Sequence, residues 1–330
     1  MKKNIFYKKK VLVAGGTGLV GQQLCKKLNE KGALVYVASL DDKKIADFKY
    51  IKYFKSNLIH LENCFKVTKN MDIVFNLLGV TGSPLLSSKR PASFMMSNLY
   101  CAVNLLYASQ KNKVKRYLYT STYGVYGPDL KMKEENVWKS FPSDHDKYAG
   151  WAKRMGELQV EAYKKEFDFE SLHIVRPANI YGPHMNFNDN NSMVVAALIK
   201  RADKSENPFI VWGNGENIRD FIYSEDVASG MIKVVEKNIT KPINLGSGKG
   251  VKIKNLVKTI INSKHLKKKL SLKFDKSKPS GDYKRVLDTK YAKSKGIRCK
   301  ISLKDGIDQT ISWYLQNKKK IHKKFNYFEK

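Results

Sequence analysis

The chain has 330 residues, with 62 Lys and Arg against 30 Asp and Glu, a net charge of +32 and 42% hydrophobic residues. That length and apolar share suit one large globular domain or two modest ones, and no run of about 18 apolar residues is present to cross a membrane. The excess charge is almost all Lys, spread over every segment with local clusters at 264–278 and 317–324. It is not an Arg-rich stripe among exposed aromatics, so it reads as a solvated surface that attracts an anionic ligand, with neither nucleic acid nor membrane as partner.

The basic start MKKNIFYKKK has too short an apolar part, and no small-residue cleavage site, for a signal peptide. KVLVAGG is an apolar run ending in glycines, and Val20, Leu24 and Leu28 then recur every four residues, the mark of a helix with one buried face. ALVYVAS, DIVFNLLG, KRYLYTST and SLHIVRP read as further buried strands, with a long helical pattern over 92–112 and another after Lys147. Runs that are apolar throughout and separated by helices predict a parallel sheet covered on both faces. Beyond SLHIVRPANIYGP the segments become shorter and loop-rich, which predicts a smaller second lobe. Leu266, Leu270, Leu272 and Phe274 make the Lys-rich 264–278 stretch a helix end and a strand. Cys25, Cys64, Cys101 and Cys299 are scattered without a CxxC pair. Neither a disulfide framework nor a metal site is expected, and a reducing cytoplasm fits.

VAGGTGLVG sets Gly15, Gly18 and Gly21 in G-x-x-G-x-x-G spacing, directly after a strand and opening a helix. Glycine is needed where the chain turns off the strand, where backbone meets a pyrophosphate, and where the helix packs on the sheet. The helix N-terminus then offers free amides and a positive dipole end to phosphates. At the end of the second strand Ser39 and Asp41 precede Lys43 and Lys44. An acidic residue there favours NAD, with NADP as the alternative. The fold class is α/β: a Rossmann-type doubly wound parallel sheet with a smaller C-terminal α/β substrate-binding lobe. Residues 1–178 form the NAD(P)-binding domain, to which the chain returns near 220–246, and 179–330 mainly form the substrate lobe.

With the loop followed in order by TSTYGVYG, AKRMGE, RPANIYGP, GNGENIRDFIYSEDVA and NLGSG, the chain resembles the extended short-chain dehydrogenase/reductase superfamily, the NAD-dependent epimerase/dehydratase family. Within it the chain is most similar to GDP-fucose synthase-like nucleotide-sugar epimerase/reductases. The resemblance implies an enzyme that moves hydride at a sugar carbon, expected to be C4, of a nucleoside-diphosphate hexose or heptose for glycan precursors. It also implies a homodimer through the 92–112 helix and the helix after Lys147. It assigns the dinucleotide to Gly15, Thr17, Gly18, Leu19, Val20 and Gly21, to Ser39 and Asp41, and to Asn57 and Leu58 at the adenine. Leu78, Gly79, Asn98, Lys153 and Pro177 complete that set, and Thr81, Thr122, Asn179, His184, Arg219 and Arg285 are assigned to the substrate.

Hydride transfer from an alcohol needs a base for the hydroxyl proton. A tyrosine of pKa about 10 serves when a lysine ammonium favours its phenolate. Thr122, four residues before Tyr126, is the expected second hydroxyl. Dehydratases of this superfamily carry Asp-Glu after that Thr, where this chain has Tyr123 and Gly124, so 4,6-dehydration is the weaker alternative. Gly124 also stands where the GDP-fucose synthase-like enzymes carry a catalytic cysteine, whereas His184 matches a histidine that acts as acid in their epimerisation. Lys153 and Glu157 match the family's Lys-x-x-x-Glu, but the family tyrosine lies four before the lysine, where this chain has Ala149. Tyr148 is therefore the expected base only if the helix starts one residue late or bulges near Gly150. Otherwise Tyr123 or a substrate group must handle the proton, or the chain is a dinucleotide-binding protein impaired in catalysis.

Overall fold

Strand β1 (Lys10–Ala14) is buried on both faces. Val11 and Val13 join one apolar layer, and Leu12 and Ala14 join the other, as the two-residue period of a strand requires. A computed structural model describes residues 4–80, 82, 84–128, 131–169, 171–187, 192–266, 270–277, 281–319 and 324–325. After β1 come α1 (Leu19–Glu30), β2 (Leu34–Ser39), β3 (Lys52–Lys55), α2 (Leu61–Thr68) and β4 (Ile73–Asn76). Then follow α3 (Pro84–Lys89), α4 (Pro91–Lys111), β5 (Arg116–Thr120), α5 (Lys147–Glu166) and β6 (Ser171–Pro177).

The next elements are β7 (Asn179–Tyr181), α6 (Val194–Asp203), β8 (Phe209–Trp212), β9 (Ile218–Tyr223), α7 (Ser224–Glu236) and β10 (Ile243–Leu245). The last are β11 (Gly250–Lys252), α8 (Ile253–Ile261), β12 (Leu272–Asp275), β13 (Lys284–Arg285), α9 (Lys290–Ser294) and α10 (Leu303–Asn317). Seven strands form one parallel sheet in the order β10-β6-β5-β4-β1-β2-β3. Leu24 and Leu28 of α1 and Met231 and Val235 of α7 cover one face, and Leu105 and Leu106 of α4 with Val160 of α5 cover the other. This is the doubly wound sheet expected, and the chain returns to it through α7 and β10. Strand order reverses at β1, so a crevice opens beyond the carboxyl ends of β1 and β4.

A third apolar cluster, with Phe209, Val211, Leu256, Ile307 and Ile311, belongs to the later elements. There β9 pairs with β7, β11 and β13, and β12 pairs with β8. The 264–278 stretch follows the end of α8 and contains β12, with Leu272 and Phe274 packed on this cluster. Among the described residues no helix is long and apolar enough to cross a membrane.

One buried ion pair joins two of these elements and reaches the segment between β5 and α5. Arg176 of β6 gives Nε and Nη2 to the two carboxylate oxygens of Glu157 on α5, at 2.9 and 2.6 Å. Its Nη1 reaches Tyr126 Oη and Glu134 O, both at 2.9 Å. The two side chains are only 1% and 3% exposed. Removing one partner strands a buried charge, a loss of roughly 3–5 kcal/mol. Arg176→Met should therefore lower the unfolding free energy in urea by that order. A paired Arg176→Met, Glu157→Met variant should recover part of the loss, and a single-variant effect below about 1 kcal/mol would show that the pair is not a major constraint.

Candidate active site

The glycine loop is built as its spacing requires. Gly15 has φ +84° and its amide donates to Ala38 O at 2.8 Å. A Cβ on Gly21 would lie 2.3 Å from Gly15 O, so only glycine lets α1 start this close to the loop. Gly18 is the N-cap of α1 and has no side chain with which to cap the first amides. Thr17 Oγ1 donates to Asp41 Oδ2 at 2.7 Å and, having spent its proton, accepts from Ser39 Oγ at 2.6 Å. Asp41 is thus oriented at the end of β2. Gly18, Leu19, Ser39, Asp41, Asn57, Leu58, Leu78 and Gly79 line one cleft of about 330 Å³. The residues present fit a dinucleotide: bare amides and close-approach glycines for the phosphates, and a carboxylate for ribose hydroxyls.

Gly15, Thr17, Val20 and Gly21 shape this cleft from behind, with Val20 packed into the core. Asn98 is buried and spends its amide hydrogens on Val80 O and Phe94 O, at 3.2 and 2.8 Å. It braces the loop after β4 instead of lining the cleft. Pro177 is buried at the end of β6, paired in register with Leu245. Thr81 lies outside the described residues.

Lys153 sits behind the cleft loop. Its Nζ donates to Leu78 O at 2.8 Å and Thr120 O at 2.9 Å, which leaves one hydrogen. A Cβ on Gly79 would come within 3.3 Å of that Nζ. Burial pushes the Lys153 pKa down to about 8. Tyr148 does not meet the condition set for it. Helix α5 begins at Lys147 and runs unbroken through Lys153. On a regular helix five residues leave two side chains about 140° apart around the axis, whereas four leave them about 40° apart. Ala149 therefore shares the face of Lys153, while Tyr148 projects elsewhere and is 38% exposed. The expectation of a Tyr148–Lys153 pair is corrected on this point.

Beyond Lys153 a polar cluster gathers around the turn after β5. Thr122 Oγ1 accepts from Gly124 N at 3.1 Å and keeps its own hydrogen. Tyr123 Oη donates to Asn179 Oδ1 at 2.8 Å, and Asn179 Nδ2 donates to Asp220 O at 2.9 Å. Burial raises the Tyr123 pKa, Asp146 adds to this, and Arg285 and Arg219 oppose it. Arg219 is half-buried, with Nη1 on Ile218 O at 3.0 Å. Arg285 differs from its expected role. Its guanidinium, 3% exposed, lies 4.7 Å from the Tyr123 ring centroid and bonds Asp146, Ser143 and the carbonyls of Tyr123 and Tyr126. It holds this turn together through both Nη groups, and its buried Nε has no partner among the described residues.

His184 stands apart from that cluster, on the cleft wall. Its φ is +66° and its ring lies 4.7 Å from Trp313 of α10. Burial, then the neighbouring Lys324, pushes its pKa down to about 4, which disfavours its charged form. Lys324 and Phe325 also line the cleft, and no motif pointed to them. Phe325 N donates to Asp41 Oδ1 at 2.7 Å, across 284 residues of chain.

The parallel seven-stranded sheet, the glycine loop at its switch point and the Lys153–Glu157 helix together define the extended short-chain dehydrogenase/reductase fold. The chain belongs to the NAD dependent epimerase/dehydratase family, whose pattern it matches over residues 11–246. It is 29% identical to the GDP-L-fucose synthase of Escherichia coli over 329 residues, 94% of this chain and 98% of that one. It is 27% identical to the GDP-mannose 3,5-epimerase of Arabidopsis thaliana, over 92% of this chain and 81% of that one. The crystal structure of UDP-glucose 4-epimerase from Thermotoga maritima, with UDP-glucose, superposes with a TM-score of 0.82 at 26% identity, covering 93% and 99% of the two chains. The chain thus sits among nucleotide-sugar epimerases and reductases.

The buried ammonium makes one quantity directly measurable. NMR of labelled lysines should show Lys153 titrating near 8, well below the ordinary 10.5. Between those two values the unfolded chain binds the proton and the folded chain does not, so this group adds stability as pH rises through that window. A midpoint above 10 would mean that Nζ is solvated and not buried as described.

Proposed function

We propose that this protein is an NAD-dependent enzyme that moves hydride at C4 of a nucleoside-diphosphate hexose or heptose, as an epimerase or reductase making glycan precursors in the cytoplasm. The observation that carries the reading is Lys153, tethered to Leu78 O and Thr120 O between the glycine-loop cleft and the Thr122–Tyr123–Asn179–Arg219 cluster. A bound nicotinamide supplies the hydride acceptor or donor. The third hydrogen of Lys153 is available to a cofactor hydroxyl, and Pro177 lies against the nicotinamide side. Thr122 gives its hydrogen to the reacting sugar oxygen, and Asn179 holds a neighbouring hydroxyl. Arg219, whose guanidinium makes one bond to its own strand, suits the diphosphate. Residues 179–330 supply most of the substrate lobe.

With Ala149 beside Lys153, the proton falls to Tyr123. Its hydroxyl already bonds Asn179, and the positive charges of Arg285 and Arg219 work against the burial and the Asp146 charge that raise its pKa. Asp41 supports NAD over NADP, because its carboxylate accepts hydroxyls and repels a 2′-phosphate. A second reading rests on Ala149 itself: a protein that binds the dinucleotide and a nucleotide sugar without turnover.

A homodimer is part of the proposal. Met96, Tyr100, Val103 and Tyr107 of α4 follow one another at helical spacing and are 37%, 45%, 37% and 37% exposed. Leu158 of the adjacent α5 is 46% exposed. This apolar strip suits a second copy of the same two helices.

Purified protein should bind NADH more tightly than NADPH by fluorescence, and Asp41→Asn should narrow the difference. Lys153→Met and Tyr123→Phe should each cost about 10²-fold or more in turnover of a 4-keto nucleotide sugar, while Tyr148→Phe stays within a few-fold. Binding without any hydride exchange would favour the second reading, and a Tyr148→Phe loss matching Lys153→Met would restore Tyr148 as the base. Val103→Asp with Tyr100→Glu should convert a dimer to a monomer in light scattering; an unchanged mass would remove this strip as the interface.

A further inference from the structure

We propose that Lys324 is a phosphate-binding residue of the dinucleotide site, brought to the glycine loop from far along the chain. This rests on the dinucleotide reading above. Lys324 Nζ bridges the two walls of the cleft, donating to Thr17 O at 3.3 Å on the glycine loop and to His184 O at 2.5 Å on the loop after β7. Both partners are main-chain carbonyls. Among the described residues no carboxylate lies within ion-pair distance of this ammonium, and Asp41 acts on it only through space.

Gly18 and Leu19 line the same cleft at the start of α1. That helix end is positive and its N-cap offers no side-chain acceptor. A lysine ammonium drawn out of water toward a positive helix terminus is unfavourable unless an anion lies between them. Burial indeed pushes the Lys324 pKa down to about 8. A pyrophosphate supplies the missing charge: the loop amides take some of its oxygens and the ammonium takes another, as a point charge on a flexible stem. His184 then also contributes through its backbone. Its left-handed backbone aims its carbonyl at the ammonium, and its ring packs on Trp313.

The neighbouring residue defines the rival outcome. Phe325 N donates to Asp41 Oδ1, and Thr17 already bonds the other oxygen. A ribose diol that uses Asp41 must share its carboxylate with the Phe325 amide or displace it. If the whole segment were a competitor of the dinucleotide, weakening its hold would tighten binding. If Lys324 is a ligand, losing it weakens binding.

The test is NADH affinity by fluorescence titration for the full-length protein and for Lys324→Met, Lys324→Arg and Phe325→Pro, with displacement by ADP-ribose and by adenosine. Lys324→Met should weaken NADH and ADP-ribose about tenfold or more, leave adenosine unchanged, and reduce the salt dependence of NADH binding. Lys324→Arg should keep most of the affinity, and Phe325→Pro should leave it unchanged or tighten it modestly. Unchanged or tighter NADH binding by Lys324→Met overturns the assignment. An equal loss for adenosine, which has no phosphate, also overturns it, because the effect would then be on the shape of the cleft. Failure of the unsubstituted protein to bind NADH or NADPH would refute the dinucleotide reading itself, and this assignment with it.

Discussion

The buried pair between Arg176 and Glu157 sets the phase of α5, and most of the candidate site depends on that phase. Both carboxylate oxygens and three guanidinium nitrogens are engaged, so the helix cannot turn without breaking charged bonds in a dry interior. Lys153 lies one turn before Glu157 on the same face and is delivered to Leu78 O and Thr120 O as a consequence. A one-residue slip would bring Tyr148 onto that face. It would also rotate the helix by about 100° and strand Arg176. The loss of the familiar tyrosine–lysine pair follows from Ala149 and from an α5 that runs unbroken from Lys147 through Lys153.

The two ends of the site are made by different physics. At the dinucleotide end, backbone does the work: glycines permit close approach, the α1 terminus leaves amides open, and Thr17 and Ser39 orient one carboxylate. At the candidate substrate end, side chains from the turn after β5 and from β7, β9 and β13 converge, the last three strands being paired through β9. Arg285 is consumed in that assembly. A guanidinium with so many protein partners is a brace for the Tyr123 turn, and this leaves Arg219 as the cluster's less committed cation.

Charge has a similar division of labour. Most of the lysine excess is surface, but Lys153 and Lys324 are each desolvated against carbonyl oxygens. A protein retains a cation in such a position at a cost; Lys324 lines the cleft that suits an anionic dinucleotide and Lys153 lies behind it, whereas Lys164, likewise desolvated against Thr240 O, lies away from it.

The sequence by itself determined whatever depends on near neighbours. Runs such as KVLVA and SLHIVRP had to be strands buried on both faces, the glycine spacing had to form a phosphate loop, and Lys153 with Glu157 had to share a helix face, because each follows from local steric rules and a fixed period. Tertiary structure decided what depends on contacts across the chain. Glu157 of α5 is held by Arg176 of β6, Arg285 is buried against a turn some 160 residues earlier, and Lys324 and Phe325 reach a loop near the other end of the chain. Side chains so far apart in sequence meet only after the apolar layers have packed, so no local pattern could report where they end.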